Sequence, residues 1–205
     1  MTMREPTRQP KSQTVELRFG ARDRILDAAY RLFSVRGIRD VGIDEVIQRS
    51  GVAKATLYRH FPSKTDLALA FLQLREERWT SNLLTAGARS RGKTAEEQLL
   101  ALFDVLDDWF RQEDFDTCAF INVLLEMRAD HPLGMASIGH LDTIRGVVAQ
   151  FAAGAGLART DEFARSWHLL MKGAVVSAAE GDLDAALRAK EMAVDLVARH
   201  RPAEA

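Results

Sequence analysis

An all-α chain is predicted, and three observations predict it. Apolar residues recur at helical spacing, most clearly at Leu99, Leu102, Phe103, Leu106, Trp109 and Phe110. No segment alternates with the period of two that a half-buried strand requires. Start and stop residues punctuate the periodic stretches, with Ser63 and Thr94 ahead of them and Gly37, Gly51 and Gly154 behind. The pattern divides into about nine helices in three regions: a disordered basic tail over 1–20, a small helical unit over 21–66 and a larger helical body over 67–201.

The tail holds Pro6 and Pro10 among polar residues and Arg4, Arg8, Lys11 and Arg18, a composition that cannot bury enough apolar surface to order itself. A first helix is expected from about Ala21 to Arg36, with Ile25, Ala28, Ala29, Leu32 and Phe33 as its buried stripe and Gly37 as its stop. Two short helices follow around a glycine turn. Ile43, Val46 and Ile47 give the first an apolar face, and Gly51 can end it in the left-handed conformation that glycine adopts without a side-chain clash. The second starts near Lys54 and turns Leu57 and Phe61 inward. That leaves Lys54, Thr56, Tyr58, Arg59 and His60 on or near its outer face.

Ser63-Lys64-Thr65-Asp66 reads as a capping box. It opens a fourth helix running through Leu67, Phe71 and Trp79 to about Leu84, long enough to join the small unit rigidly to the body. Gly87 to Lys93 reads as a loop. Thr94-Ala95-Glu96-Glu97 is a second capping box, ahead of the strongest amphipathic helix in the chain. Asp114 to Thr117 breaks the pattern. A short helix is expected from Cys118 to about Arg128, stopping before His131-Pro132, and another from Leu133 to about Ala153. Thr160 is expected to cap the next, with Asp161 and Glu162 in its positive first turn, ending near Gly181. The last helix runs from Asp182 to about His200.

Of the 205 residues, 47% are apolar and 28% charged, ordinary for a globular protein. The net charge of −1 conceals an asymmetry. Residues 1–64 carry 13 Lys/Arg against 7 Asp/Glu, and residues 65–205 carry 15 against 22. The basic end can attract phosphates while the body cannot. A single cysteine forms no intrachain disulfide, no apolar run is long enough to span a membrane, and the N-terminus lacks the apolar core of a secretory signal. A cytoplasmic protein without a membrane partner is expected.

The outer face of the second short helix is the most informative feature. The major groove of B-DNA admits one helix, and base edges there offer distinguishable donors and acceptors. In a helix-turn-helix the first residues of the second helix reach the bases while flanking groups hold phosphates. Lys54 and Thr56 are placed for the first task, helped by the backbone around Ala55. Tyr58, His60 and Lys64 are placed for the second, with Arg59 facing groove or backbone. The basic tail could enter an adjacent minor groove, or be a solvated arm without a role.

The run Gly51-Val52-Ala53-Lys54-Ala55-Thr56-Leu57-Tyr58-Arg59-His60-Phe61-Pro62-Ser63-Lys64, with Gly37-Ile38 upstream and Leu67 downstream, resembles the recognition segment of the TetR family of bacterial transcriptional regulators. The resemblance covers roughly residues 22 to 70. The chain departs from the family pattern where Thr followed by Thr or Ser is usual: it has Val41 and Gly42. No hydroxyl caps the helix there, so only its N-terminal N–H groups, at Gly42, remain to meet a phosphate. Ala53 and Ala55 stand where Ser and Gly are frequent.

The resemblance implies a ligand-responsive regulator, most often a repressor, that binds a palindromic operator in double-stranded DNA and releases it when a small, largely apolar effector binds. It also implies a homodimer paired through the last two helices. Independently, the segment Ser166 to Ala179 is apolar on more than one side, which suits such pairing; core of a monomer is the other reading. A pocket in the body could be lined by Phe103, Leu106, Trp109, Phe110, Cys118, Ile121, Leu124, Met127, Trp167 and Met171, with Asn122 or His168 as polar anchors. Packed core accounts for the same residues. Cys118 reads as buried and inert rather than a redox sensor. Glu126, Asp130 and His131 lack the spacing of a helical zinc site and read as a solvated helix end. No metal, cofactor or catalytic set is indicated, so an enzyme is not expected. A helical carrier or enzyme keeping a non-functional helix-turn-helix is the alternative, and the sequence does not separate repressor from activator.

Overall fold

The computed structural model describes residues 20–113 and 115–202, so the expected tail, save Gly20, lies outside the described residues. Among the described residues every regular element is helical. They are α1 (Ala21–Arg36), α2 (Ile43–Ser50), α3 (Lys54–His60), α4 (Lys64–Arg75), α5 (Ala86–Arg91), α6 (Ala95–Phe110), α7 (Ala119–Met127), α8 (Pro132–Gly154), α9 (Thr160–Ala179) and α10 (Ala185–His200). A π-helical stretch, Glu76–Thr85, joins α4 to α5 without a break. Taking that continuous rod as one, nine helical segments result, as the periodicity predicts.

The helices α1, α2 and α3 form a small head. The predicted α1 stripe is buried, and Val46, Leu57 and Phe61 turn inward to meet it. Gly51 ends α2 at φ +64°, ψ 30°, its N–H bonded to the Ile47 carbonyl. Only a residue without a Cβ takes that conformation freely. Val41 is fully buried in this core, which gives the departure from a hydroxyl residue there a packing role.

The rod α4–π–α5 leaves the head through Phe71, which meets Phe33 and Tyr30 of α1 edge-on, both at 5.5 Å. In the body, α6 packs against α5, α8, α9 and α10, and all six residues of its predicted stripe are buried. Phe103 lies 5.1 Å from Trp167, which lies 5.1 Å from Phe163. Burying an aromatic side chain of this kind contributes about 2–3 kcal/mol, so this cluster is a main anchor of the body.

Five expectations are corrected. The loop expected over Gly87 to Lys93 is helical as far as Arg91. A Cβ at Gly87 would stand 2.9 Å from Val105 Cγ2, so this glycine serves the approach of α5 to α6 rather than a turn. The rod does not end near Leu84, and its middle is π rather than α, with the Thr85 hydroxyl donating to the Thr80 carbonyl at 2.6 Å. The cap at α9 is Arg159 in the left-handed region, with Thr160 as the first helical residue. At α4 the Ser63 hydroxyl accepts from the Asp66 N–H but also donates to the Asp66 carboxylate, so the box is not reciprocal. The Thr94–Glu97 box is complete, both of its bonds being formed. The last helix starts at Ala185, three residues late, because the Asp182 carboxylate first holds the Asp184 N–H in a turn.

Candidate nucleic-acid interface and junction cleft

The α2–Gly51–α3 unit leaves Lys54, Ala55, Tyr58 and Arg59 exposed, with Thr56, His60 and Lys64 half-buried. Burial of Leu57 on the opposite side fixes which face of this short helix is free. The Lys54 ammonium stands 3.3 Å from the Asp44 carboxylate, both largely in solvent. Such an exposed pair contributes little and can be exchanged for another anion. Lys64 donates to the Arg39 carbonyl at 3.3 Å, so its ammonium lies over the α1–α2 connection. Gly42 is the exposed N-cap of α2 and offers no side-chain cap. Asp44 is the member of this surface that the basic pattern of the sequence did not single out.

Among the described residues two polar ties join head to body. Arg75 is buried; its guanidinium grips the Asp116 carboxylate at 2.9 and 2.6 Å and donates to the Tyr30 hydroxyl at 3.0 Å. Burial depresses the Arg75 pKa, but Asp116 and Tyr30 outweigh that and raise it overall, so the charge is held. The second tie is Glu126 at the end of α7. Its carboxylate accepts the backbone N–H of Arg39 at 2.7 Å and of Ile38 at 3.3 Å. Glu126 is therefore not the solvated helix end that its neighbours in sequence suggest. It reaches across 88 positions because α7 folds back over the α1–α2 turn.

Between the ties lies a cleft of about 750 Å³. Tyr30, Phe33, Ser34, Val35 and Gly37 line it from the head, and Arg75, Arg78, Trp79 and Leu83 from the rod. The body contributes Trp109, Phe115, Asp116, Asn122, Val123 and Glu126, among others. Of the twelve pocket candidates read from the sequence, Trp109 and Asn122 line this cleft. Trp109 meets Trp79 at 5.0 Å and Phe115 at 4.9 Å, while the Asn122 amide donates to Thr117 at 2.6 Å.

The other ten candidates lie outside the cleft. Phe103, Leu106, Phe110, Cys118, Trp167, His168 and Met171 are buried, and Ile121, Leu124 and Met127 pack half-buried against the same core. Burial raises the Cys118 thiol pKa, which disfavours a reactive thiolate. Burial first, and then Lys172 and Arg145, lower the His168 pKa to about 3. Periodicity marks inward faces but not where facing side chains fail to meet, and that is what makes a cavity. Tyr30 and Trp79 were missed for this reason. Trp79 reads simply as part of the rod's apolar stripe.

With this geometry in view, the comparisons are specific. The profile of bacterial regulatory proteins of the tetR family matches residues 25–71. The HTH-type transcriptional activator FasR of Mycolicibacterium smegmatis is 37% identical over 91 residues, 42% of this chain and 40% of that protein. LmrA of Bacillus subtilis, an HTH-type transcriptional regulator, is 44% identical over 50 residues, 24% of this chain and 27% of its own. The chain thus spans well under half of the length of these relatives, and their likeness is concentrated in the head. The fold extends further. A TetR-family transcriptional regulator from Streptomyces coelicolor superposes with a TM-score of 0.80 at 28% identity, covering 89% of this chain and 96% of that one. A regulator from Streptomyces avermitilis superposes at 0.78 with 24% identity over 89% of this chain and 98% of its own. Among the described residues no helix is long and apolar enough to cross a membrane. The head thus matches the TetR-family profile, and head, rod and helical body together share the fold of TetR-family transcriptional regulators.

Proposed function

We propose that the protein is a homodimeric, ligand-responsive transcriptional regulator of the cytoplasm, most simply a repressor, which leaves a palindromic operator when a small, largely apolar effector binds. The observation that carries this reading is the α2–Gly51–α3 unit, held against α1 by Val46 and Leu57 while Lys54, Tyr58 and Arg59 stay exposed. Lys54 and Thr56, with the backbone at Ala55, contact base edges. Tyr58, His60, Lys64 and the N–H groups at Gly42 hold phosphates, and Arg59 meets groove or backbone.

Pairing of two copies is supported by apolar side chains left in solvent on α9 and α10. Leu169 is 70% exposed and Val176 50%, with the exposed Gly173 between them on one helical face; Leu187 and Val194 repeat the pattern on α10. Two-fold pairing sets two heads at the 34–36 Å spacing of successive major grooves. Ligand response is supported by the junction cleft, whose walls come from both head and body. An effector that binds the DNA-free arrangement better by about 1–3 kcal/mol shifts occupancy accordingly.

Binding of the purified protein to genomic fragments over a salt series, with competitor DNA present, tests the proposal. Retention of a few fragments sharing a palindrome, falling steeply with salt, is expected. Retention of none at any salt, by protein shown to carry no small molecule, would reject DNA regulation in favour of a helical binding protein.

A further inference from the structure

We infer that the effector seats in the junction cleft between head and body, and that it is a neutral, largely aromatic molecule bearing a hydrogen-bond acceptor such as a ketone. This rests on the ligand-responsive reading above and adds to it a place and a chemical class.

Three observations lead there. The first is unmet donors. Trp79 lines the cleft at 7% exposure, and its indole N–H has no acceptor among the described residues; the buried Ser34 hydroxyl, from the head side, has no partner among them either. Buried donors are nearly always satisfied, so this pair calls for an acceptor from a molecule in the cleft. An indole N–H donates only, which specifies acceptor chemistry in the occupant.

The second is charge. Three arginines and three carboxylates line the cleft, and most are already committed. Arg31 is paired with Asp27, and Arg75 with Asp116. Arg78 lies 4.7 Å over the Tyr30 ring, and Glu126 holds two backbone N–H groups. The remaining carboxylate, Glu113, is exposed to water. Arg78 has no carboxylate partner among the described residues but is exposed to water, so a charged ligand would give up hydration for a screened counter-charge at most. A neutral one loses little.

The third is shape and composition. A volume of about 750 Å³ suits a small organic molecule. Tyr30, Phe33, Trp79, Trp109 and Phe115 supply ring faces and edges for aromatic stacking. Trp79 and Arg78 sit on the π-helical stretch, an irregularity of the kind that recurs at functional sites. Because Tyr30 and Ser34 belong to α1, an occupant touches the head itself and not only the body.

The test is a titration of the full chain, without DNA, with 6-propionyl-2-(dimethylamino)naphthalene, a neutral aromatic ketone whose emission shifts to the blue out of water. Saturable binding is expected. Trp79→Phe keeps a ring but removes the N–H and should weaken the ketone about fivefold, the worth of one hydrogen bond. It should leave 2-ethylnaphthalene, read by competition, unchanged. Val35→Trp, at an 80% exposed site on the cleft's head side, should obstruct access without disturbing the fold. Should Trp79→Phe fail to fold, Ser34→Ala removes the head-side donor and replaces it.

Absence of saturable binding would overturn the inference, as would binding that neither the Trp79 nor the Val35 variant alters. Weakening by Val35→Trp with no effect of either donor variant would overturn the acceptor chemistry. Stronger binding of 2-naphthoate than of the ketone would overturn neutrality. The titration contains no DNA, so its result stands apart from that of the operator experiment.

Discussion

Two side chains illustrate how local surroundings set behaviour. His168 is buried with its Nδ1 unpartnered among the described residues, and its pKa falls to about 3 through burial, Lys172 and Arg145. Between about pH 6.5 and 3 the unfolded chain binds a proton there that the folded chain does not, so this contribution falls as pH drops. From neutrality to pH 5 the loss should approach about 2 kcal/mol, at about 1.4 kcal/mol per pH unit. Thermal melts followed by circular dichroism across that range would show it, and His168→Asn should flatten the dependence. An unchanged slope in the variant would assign the acid sensitivity to other groups. Lys64 donates to the Arg39 carbonyl and is the proposed phosphate contact beside α3. As a phosphate contact, Lys64→Ala should weaken all duplex sequences alike and lower the salt slope by about 1. A loss confined to one sequence would make it a base reader.

At the scale of elements, the rod from α4 through α5 is where pattern and structure diverge most. Gly-Ala-Arg-Ser-Arg-Gly reads as a loop because glycine is a poor helix former. Yet Gly87 sits inside a helix, since α6 passes so close that Val105 occupies the space of a Cβ. Gly87→Ala should therefore destabilise the protein, the steric cost of about 1–3 kcal/mol exceeding a propensity gain of about 1 kcal/mol. A raised melting temperature would show instead that α5 can move away. The complete Thr94–Glu97 box at the start of α6 is the contrasting case, with donors and acceptors only three residues apart. The backbone N–H groups of Lys93 and Thr94 hold the Glu97 pKa down.

For the whole molecule, the decisive surfaces are those left without a neighbour in one copy of the chain. Leu169 and Val176 stand in solvent on α9 although its other large apolar side chains, Phe163, Trp167, Leu170, Met171 and Val175, are buried or half-buried. If they meet a second copy, Leu169→Glu together with Val176→Glu should give a folded monomer by sedimentation, with operator affinity reduced by orders of magnitude as two-headed binding is lost. A dimer that survives both changes would move the interface elsewhere. Head and body are joined by the rod, by Arg75 with Tyr30 and Asp116, and by Glu126 on the α1–α2 turn. A cleft bounded by such ties is well placed to pass a tilt of the body to the reading head.

The sequence by itself determined the helical class, the order of the elements, the glycine that ends α2, the capping box of α6 and the outward face of α3. Each depends on residues within a turn or two of one another, or on a repeated motif, so local stereochemistry suffices. Only the tertiary structure decided that Glu126 clasps the α1–α2 turn, that Gly87 belongs to a helix and that Phe103 and Trp167 fill their space together. It also decided that the cavity opens between Ser34 and Trp79, at the junction rather than at the centre of the body. Those outcomes depend on which distant side chains meet and which do not, and packing settles that after the local pattern has done its part.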